Sequence, residues 1–450
     1  MMNSNNKESE MATTPASPAT SADNADELWQ IVDEHLLHYG RDFVREFITS
    51  ASGSYLHTST GRSIIDFSSG QMCATLGHNH TAILEAMQRS ADSVIHLDST
   101  MLSPSIAHLA KELCALLPPQ LSKVLFLNTG AESNEAAIRL AKLYTNRFEI
   151  IGLTGSWHGT TYGAASTTYA HGRKGYGPGM PGTIAIPAPN CYRCPIGQCQ
   201  TSCNLACLDF GFDYVDSVSV GSTAAMVIEP IQSAGGIIVP PEGYMEKLRT
   251  LCDERSILLI FDEAQTGLGR VGTNFAFEQQ AVVPDILSLS KTLGAGVPLA
   301  ATITSKEIAD DTHEKGYSHY TSHASDPLTV EVGLAVVRTL VSEQLASRAD
   351  EMGQYLMAGL QALQDKYEPI GDLRGRGLLL GVEIVTDRES KTPDKEYLAR
   401  LSQRCFELGL NVNRVGGPLA VWRIAPPLTI SRAEVDLSLE IMDEAFSSTQ

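Results

Sequence analysis

Five short apolar runs, KVLFLNTG, FEIIGL, AAMVIEP, SILLIFDEA and DILSLSK, recur between residues 123 and 291, with helical segments between them. A strand that is apolar throughout, with no polar alternation, has to be buried on both faces, as in a parallel sheet flanked by helices. Repeated strand, helix, strand order therefore predicts an α/β domain around a mostly parallel sheet. Upstream, ELWQIVDEHLLHYG reads as a helix ended by Gly40, and SYLHTSTGRSIIDFSS as a hairpin. Downstream, GLAVVRTLVSEQLASRADEMGQYLMAGLQALQ reads as one long helix before two strands, RGLLLGVEIV and AVWRIAPPL, a mixture that predicts a smaller α+β domain.

This reading divides the 450 residues into a tail at 1–25, an N-terminal segment at 26–78, a large domain at 79–328 and a small C-terminal domain at 329–450. The tail is rich in Ser, Thr, Asn and Ala without an aromatic, a composition that predicts disorder. It has no arginine, as a transit peptide would, and no secretory apolar stretch, and SSTQ is not a peroxisomal signal; the expected location is cytoplasmic. No apolar run approaches the roughly 20 residues of a membrane span, so no membrane association is expected. A net charge of −19 argues against a nucleic-acid partner, because phosphate binding needs clustered cations.

Unusual polar residues stand at the ends of the apolar runs, where open α/β sheets bind ligands. In ILSLSKTLGAG, Lys291 follows a strand and is hemmed in by Ser290, Thr292 and glycines. Read alone, it is either a solvated charge guarding an edge strand or a desolvated amine able to attack a carbonyl. Asp262 ends five apolar residues; it is either a helix N-cap or a carboxylate partner for a protonated ring nitrogen. Gly130 and Ala131 open a helix after KVLFLNT, where free N–H groups suit a phosphate, although many turns place glycine there. Trp157 and His158 sit between glycines in GSWHG, which loop packing explains equally. Nine cysteines include five in CYRCPIGQCQTSCNLAC at 191–207; with one C-x-x-C, this reads as a loop of reduced thiols, with zinc as the alternative.

Taken in order, TGAES, SWHG, FDEAQTGLGR and SLSK resemble the class III, fold type I aminotransferases that use pyridoxal phosphate, and the resemblance runs from about residue 28 to 445. Within that family, DFSSGQMCATLGH, LSKTLGAGVPLAA and RIAPPLT are most similar to the 2,2-dialkylglycine decarboxylases. The resemblance implies a seven-stranded sheet, and a homodimer or dimer of dimers. It implies that Lys291 carries the cofactor as a Schiff base, Asp262 pairs with the ring nitrogen and Gln265 contacts the phenolic oxygen. Trp157 and His158 would lie over and beside the ring. Gly130 and Ala131 would hold the phosphate, with Ser322 added from the other subunit, where the decarboxylases have threonine. Arg423 would bind the substrate carboxylate, and Gln71 would orient the carboxylate that leaves.

Leu97, Ser99, Ser322, Ala324 and Asp326 match the family's alkali-cation site, which implies potassium; Asp326 before Pro327 is equally a helix cap. The implied reaction is decarboxylation-coupled transamination of dialkylglycines such as 2-aminoisobutyrate, with pyruvate or another 2-oxo acid as amino acceptor. Its rival is a plain aminotransferase of amines or amino acids, and a third reading is a metal-binding scaffold around the cysteines. Ala234 favours carboxylate binding, because many relatives place in that loop a glutamate that pairs with the arginine. Thr160 for methionine, Ala234 for serine, Leu117 in place of a hydroxyl at a second cation site, and the cysteine-rich insertion are departures from the decarboxylases.

Overall fold

The computed structural model describes residues 25–40, 43–170, 173–197 and 203–449. Residues 1–24, nearly all of the expected disordered tail, lie outside the described residues, as does Cys199; Ala25 already belongs to a helix, Ala25–His35. The strands are β1 Ile48–Ser52, β2 Tyr55–Thr58, β3 Ser63–Asp66, β4 Lys123–Leu127, β5 Glu149–Leu153, β6 Thr183–Ile186, β7 Thr223–Ile228, β8 Leu258–Asp262, β9 Ile286–Leu289, β10 Ala300–Thr304, β11 Ile370–Arg376, β12 Leu379–Ile384, β13 Leu410–Asn411, β14 Asn413–Val415 and β15 Val421–Ile424.

Seven of them form one sheet in the order β4-β10-β9-β8-β7-β5-β6. Neighbours from β9 to β6 run parallel, and β10 lies antiparallel between β9 and β4. The five apolar runs are β4, β5, β7, β8 and β9. β5, β7 and β10 are buried along their whole length, which is why residues on both faces are apolar or small apart from Glu149, whose carboxylate accepts from the Val220 and Ser222 amides. β6 (TIAI) and β10 (AATIT) escape a hydropathy reading because threonine interrupts them. Within β10, Thr302 satisfies its buried hydroxyl by donating to the Ser133 carbonyl at 2.9 Å.

Two four-stranded sheets complete the fold. β11-β12-β15-β14 is antiparallel throughout. In the other, β1-β2-β3 is extended by β13, with Leu410 paired to Ile65, so the N-terminal hairpin is tied to the C-terminal part of the chain. β12 carries Glu383, whose carboxylate is held by Arg193 Nε at 2.6 Å and Arg374 Nη1 at 2.7 Å, partners that a fully buried charge requires.

The single long helix expected after residue 329 is two helices, Pro327–Ser342 and Leu345–Lys366, separated at Gln344 with φ 52. The first packs against the helices Thr81–Ala91 and Pro104–Cys114, the second against β11 and the last helix, Arg432–Ser448. No glycine or proline marks the joint, which is the polar stretch Ser342-Glu343-Gln344, and the two helices take different packing partners. Among the described residues, no helix is long and apolar enough to cross a membrane, and every cysteine is a free thiol.

Candidate active site

The carboxyl ends of β4, β5, β7, β8 and β9 meet at one cavity of ≈ 180 Å³, lined among others by Gly130, Ala131, Trp157, His158, Asp262, Gln265 and Lys291. Seven residues from four separate motifs are thus brought together. A larger cleft of ≈ 310 Å³ lies at the opposite, amino ends of these strands, around Arg147, Arg249 and Asp285, and holds none of them.

Lys291 follows β9 through Ser290 and enters a short 3-10 turn with φ 43, a left-handed conformation that costs a non-glycine residue about 1–2 kcal/mol. Part of its side chain faces the open cavity, but the amine is enclosed by protein. That desolvation pushes its pKa below the ordinary lysine value, against the opposing pull of Asp262. The strained backbone and the lowered basicity make Lys291 the site's candidate nucleophile.

Asp262 is the last residue of β8 and is 4 % exposed. Its Oδ2 accepts from Asn134 Nδ2 at 2.7 Å and from His158 Nδ1 at 2.9 Å, and Oδ1 accepts from the Ala264 amide at 3.1 Å. These bonds stabilise a carboxylate that burial alone would disfavour. Asn134 projects from the helix Gly130–Thr145 and also donates to the His158 carbonyl at 2.9 Å. The first turn of that helix faces the cavity. Thr129 caps it by accepting from the Glu132 amide at 3.2 Å, while the amides of Gly130 and Ala131 have no intrahelical acceptor. Gly159 lets this turn approach, since a Cβ there would stand 2.4 Å from the Ala131 Cβ.

Glu229, at the end of β7, is a member of the site that the motif reading missed. Its carboxyl accepts from the Trp157 amide at 2.9 Å and the Ser233 amide at 3.0 Å, and burial above all pushes its pKa up to about 7. The signal was available: an acid after the apolar run AAMVI is the same pattern that singled out Asp262. Asn134 carried no such signal, because its role depends on helix orientation.

Arg423 lies on β15, 5 % exposed; neither it nor Gln71 lines the cavity, and Arg423 meets the lining through Gln265. Its Nη1 donates to Gln265 Oε1 at 2.8 Å and its Nη2 to Gln71 Oε1 at 3.4 Å. Gln71 is held in a turn with φ 66, and Asn413 also donates to its Oε1 at 3.5 Å. Gln71 and Arg423 therefore form one polar locus with Gln265, where the sequence reading treated them as two separate positions. Ser322 is exposed and outside the lining of this cavity. Ser99 Oγ donates to the Thr321 carbonyl at 2.9 Å, and both Asp326 oxygens are engaged by imidazoles, so these two residues of the expected cation set have protein partners.

The family model described as "Aminotransferase class-III" matches residues 39–446. The chain is similar to an uncharacterized aminotransferase of Schizosaccharomyces pombe (44% identity over 424 residues, 94% of this chain and 95% of that protein). It is also similar to the leucine/methionine racemase of Thermococcus litoralis (35% over 402 residues, 86% of this chain and 88% of that protein). Among solved structures, a thermostable (S)-enantioselective omega-transaminase from Thermomicrobium roseum superposes with a TM-score of 0.87 at 31% identity, over 94% of this chain and 98% of that one. The relatives named here are a transaminase, an aminotransferase and a racemase; none bears the name of a dialkylglycine decarboxylase. Sheet order, the lysine and aspartate at adjoining strand ends, and matches that span nearly the whole length agree: the chain belongs to the class-III aminotransferase family.

Proposed function

We propose that the protein transfers an amino group from an α-amino acid or amine to a 2-oxo acid, using pyridoxal phosphate. The observation that carries this reading is the desolvated Lys291 amine in one cavity with a buried, hydrogen-bonded Asp262 and the start of a helix. An amine, a carboxylate and free backbone amides complement an aldehyde ring that bears a basic nitrogen and a phosphate. When bound, pyridoxal phosphate supplies the aldehyde and the electron-withdrawing ring that amino transfer needs.

The chain's residues divide the remaining work. Lys291 Nζ would hold the cofactor at its aldehyde carbon, and its free amine would carry the proton taken from the substrate Cα. Asp262 would pair with the ring nitrogen and keep it protonated, its own position fixed by Asn134 and His158. The Gly130 and Ala131 amides would hold the phosphate, and Glu229 sets the backbone of Trp157, which would lie against the ring. Arg423 pairs with the substrate carboxylate; the amides of Gln265 and Gln71 align its guanidinium without cancelling its charge. Ala234 leaves that loop without a competing glutamate.

A homodimer fits this scheme, with Ser322 of the partner subunit completing the phosphate site. Ile95, Met101, Leu102 and Tyr320 are exposed apolar side chains beside the Ser99–Thr321 contact, a patch suited to a second copy of the chain.

Decarboxylation of dialkylglycines is the second reading, and Gln71 is the residue that favours it. A neutral amide orients a departing carboxylate without stabilising its charge as a cation would. Its contact with Arg423 weighs the other way, because a carboxylate at Gln71 then also meets the guanidinium. One assay separates the readings. The holoenzyme is supplied with pyruvate and either L-alanine-like donors or 2-aminoisobutyrate, and amino product and carbon dioxide are measured. Amino transfer from α-hydrogen donors without carbon dioxide from 2-aminoisobutyrate is expected. Stoichiometric carbon dioxide and ketone would establish decarboxylation, and exchange of the Cα hydrogen without any need for a 2-oxo acid would place the chain with its racemase relative.

A further inference from the structure

Away from the cavity, Asp326 is the N-cap residue of the helix Pro327–Ser342, yet its side chain makes no capping bond. Both carboxylate oxygens turn outward to imidazoles: Oδ1 to His96 Nδ1 and Oδ2 to His323 Nδ1, each at 2.6 Å. The two rings stand 5.1 Å apart, and one ligand-capable atom from each of the three residues lies within 4.8 Å of the others. The N-cap aspartate thus gives up its capping bond in favour of the two imidazoles.

The arrangement is organised by its surroundings. The Leu328 amide donates to the Ile95 carbonyl at 3.3 Å, and Ser99 Oγ donates to the Thr321 carbonyl at 2.9 Å. These bonds tie the segment that carries His96 to the segment that carries His323 and Asp326, on both sides of the cluster. Asp326 is nearly buried, with 11 % of its side chain exposed, while in the single chain the histidine side chains are 51 % and 64 % exposed, beside the patch assigned above to a second copy.

We propose that His96, His323 and Asp326 bind a divalent first-row transition metal of the zinc class. Two imidazoles and a carboxylate suit such ions, whereas an alkali cation is held by oxygens. Zinc ligands about 2.0–2.1 Å from the metal stand roughly 3.3 Å apart in a tetrahedron. Contacts of 2.6 Å and a spread within 4.8 Å bracket that separation, so small ring movements admit the ion. On binding, each imidazole offers a nitrogen lone pair and the protons displaced from the cluster pass to solvent. This proposal stands independently of the amino-transfer reading.

The test is titration of the full-length holoenzyme with cobalt(II) chloride, following d–d absorption and measuring affinity by competition with a chelator. One cobalt per chain is expected, without the thiolate-to-metal charge-transfer band that the cysteines at 191–207 would produce. His96→Ala and His323→Ala, both at exposed side chains that folding tolerates, should each weaken binding by at least about 10-fold. Excess potassium chloride should not displace the metal. Absence of saturable binding, a thiolate band, equal affinity in the histidine variants, or displacement by potassium would each overturn the proposal.

Discussion

Glu229 couples the site to pH. Its carboxyl lies near 7 in the folded chain against 4.5 ordinarily, so the folded state holds this proton more tightly than the unfolded one. As pH rises from about 4.5 the unfolded chain gives up the proton first, and stability falls until pH passes about 7; the full effect is on the order of 3 kcal/mol. Glu229→Gln loses one accepted hydrogen bond but removes the titration. Its apparent Tm relative to the parent should therefore be lower near pH 5 and recover, or exceed the parent, near pH 8. A difference that stays constant across this range would show that Glu229 is ionised throughout. Asn134 acts through Asp262, as a positioning residue. Asn134→Ala should lower kcat/KM about tenfold to a hundredfold, the cost of one buried hydrogen bond to a charged group, with the protein still folded by circular dichroism.

The helix Leu345–Lys366 buries a stripe that includes Leu345, Ala349, Met352, Leu356, Leu360 and Leu363, and Gly353 lies on that same face. A Cβ on Gly353 would stand 2.1 Å from the Gly377 carbonyl oxygen, backbone that cannot rotate away. Helix propensity favours alanine over glycine by about 1 kcal/mol, but overpacking of this kind costs about 1–3 kcal/mol. Gly353→Ala should thus lower the apparent Tm, and a rise would show that the turn at Gly377 yields readily. The same close approach shows why the break at Gln344 was invisible in the sequence. The pattern of apolar residues states that both helices are buried; the partners they pack against are chain segments far away in sequence.

For the whole chain, the expected dimer links cofactor retention to assembly. Leu102→Asp places a charge on the exposed patch near Tyr320. Sedimentation velocity should show a dimer for the parent and a shift toward monomer for this variant, together with faster loss of pyridoxal phosphate on dialysis. A monomeric variant that keeps its cofactor would separate Ser322 from the phosphate site.

The linear order of residues determined the α/β class, five of the seven strands of the main sheet, and Lys291, Asp262, Gly130 and Trp157 as residues at strand ends. Those were legible because burial on both faces demands continuous apolar runs, and a polar residue ending such a run stands out against it. Tertiary structure alone decided the rest. It placed β10 antiparallel, set Asn134 and Glu229 behind the site, and joined Gln71 to Arg423 across 352 positions of sequence. It also turned Asp326 from a helix cap into the centre of a histidine pair. Side-chain direction and long-range pairing depend on how the helices and sheets pack, and no local pattern of residues encodes that geometry.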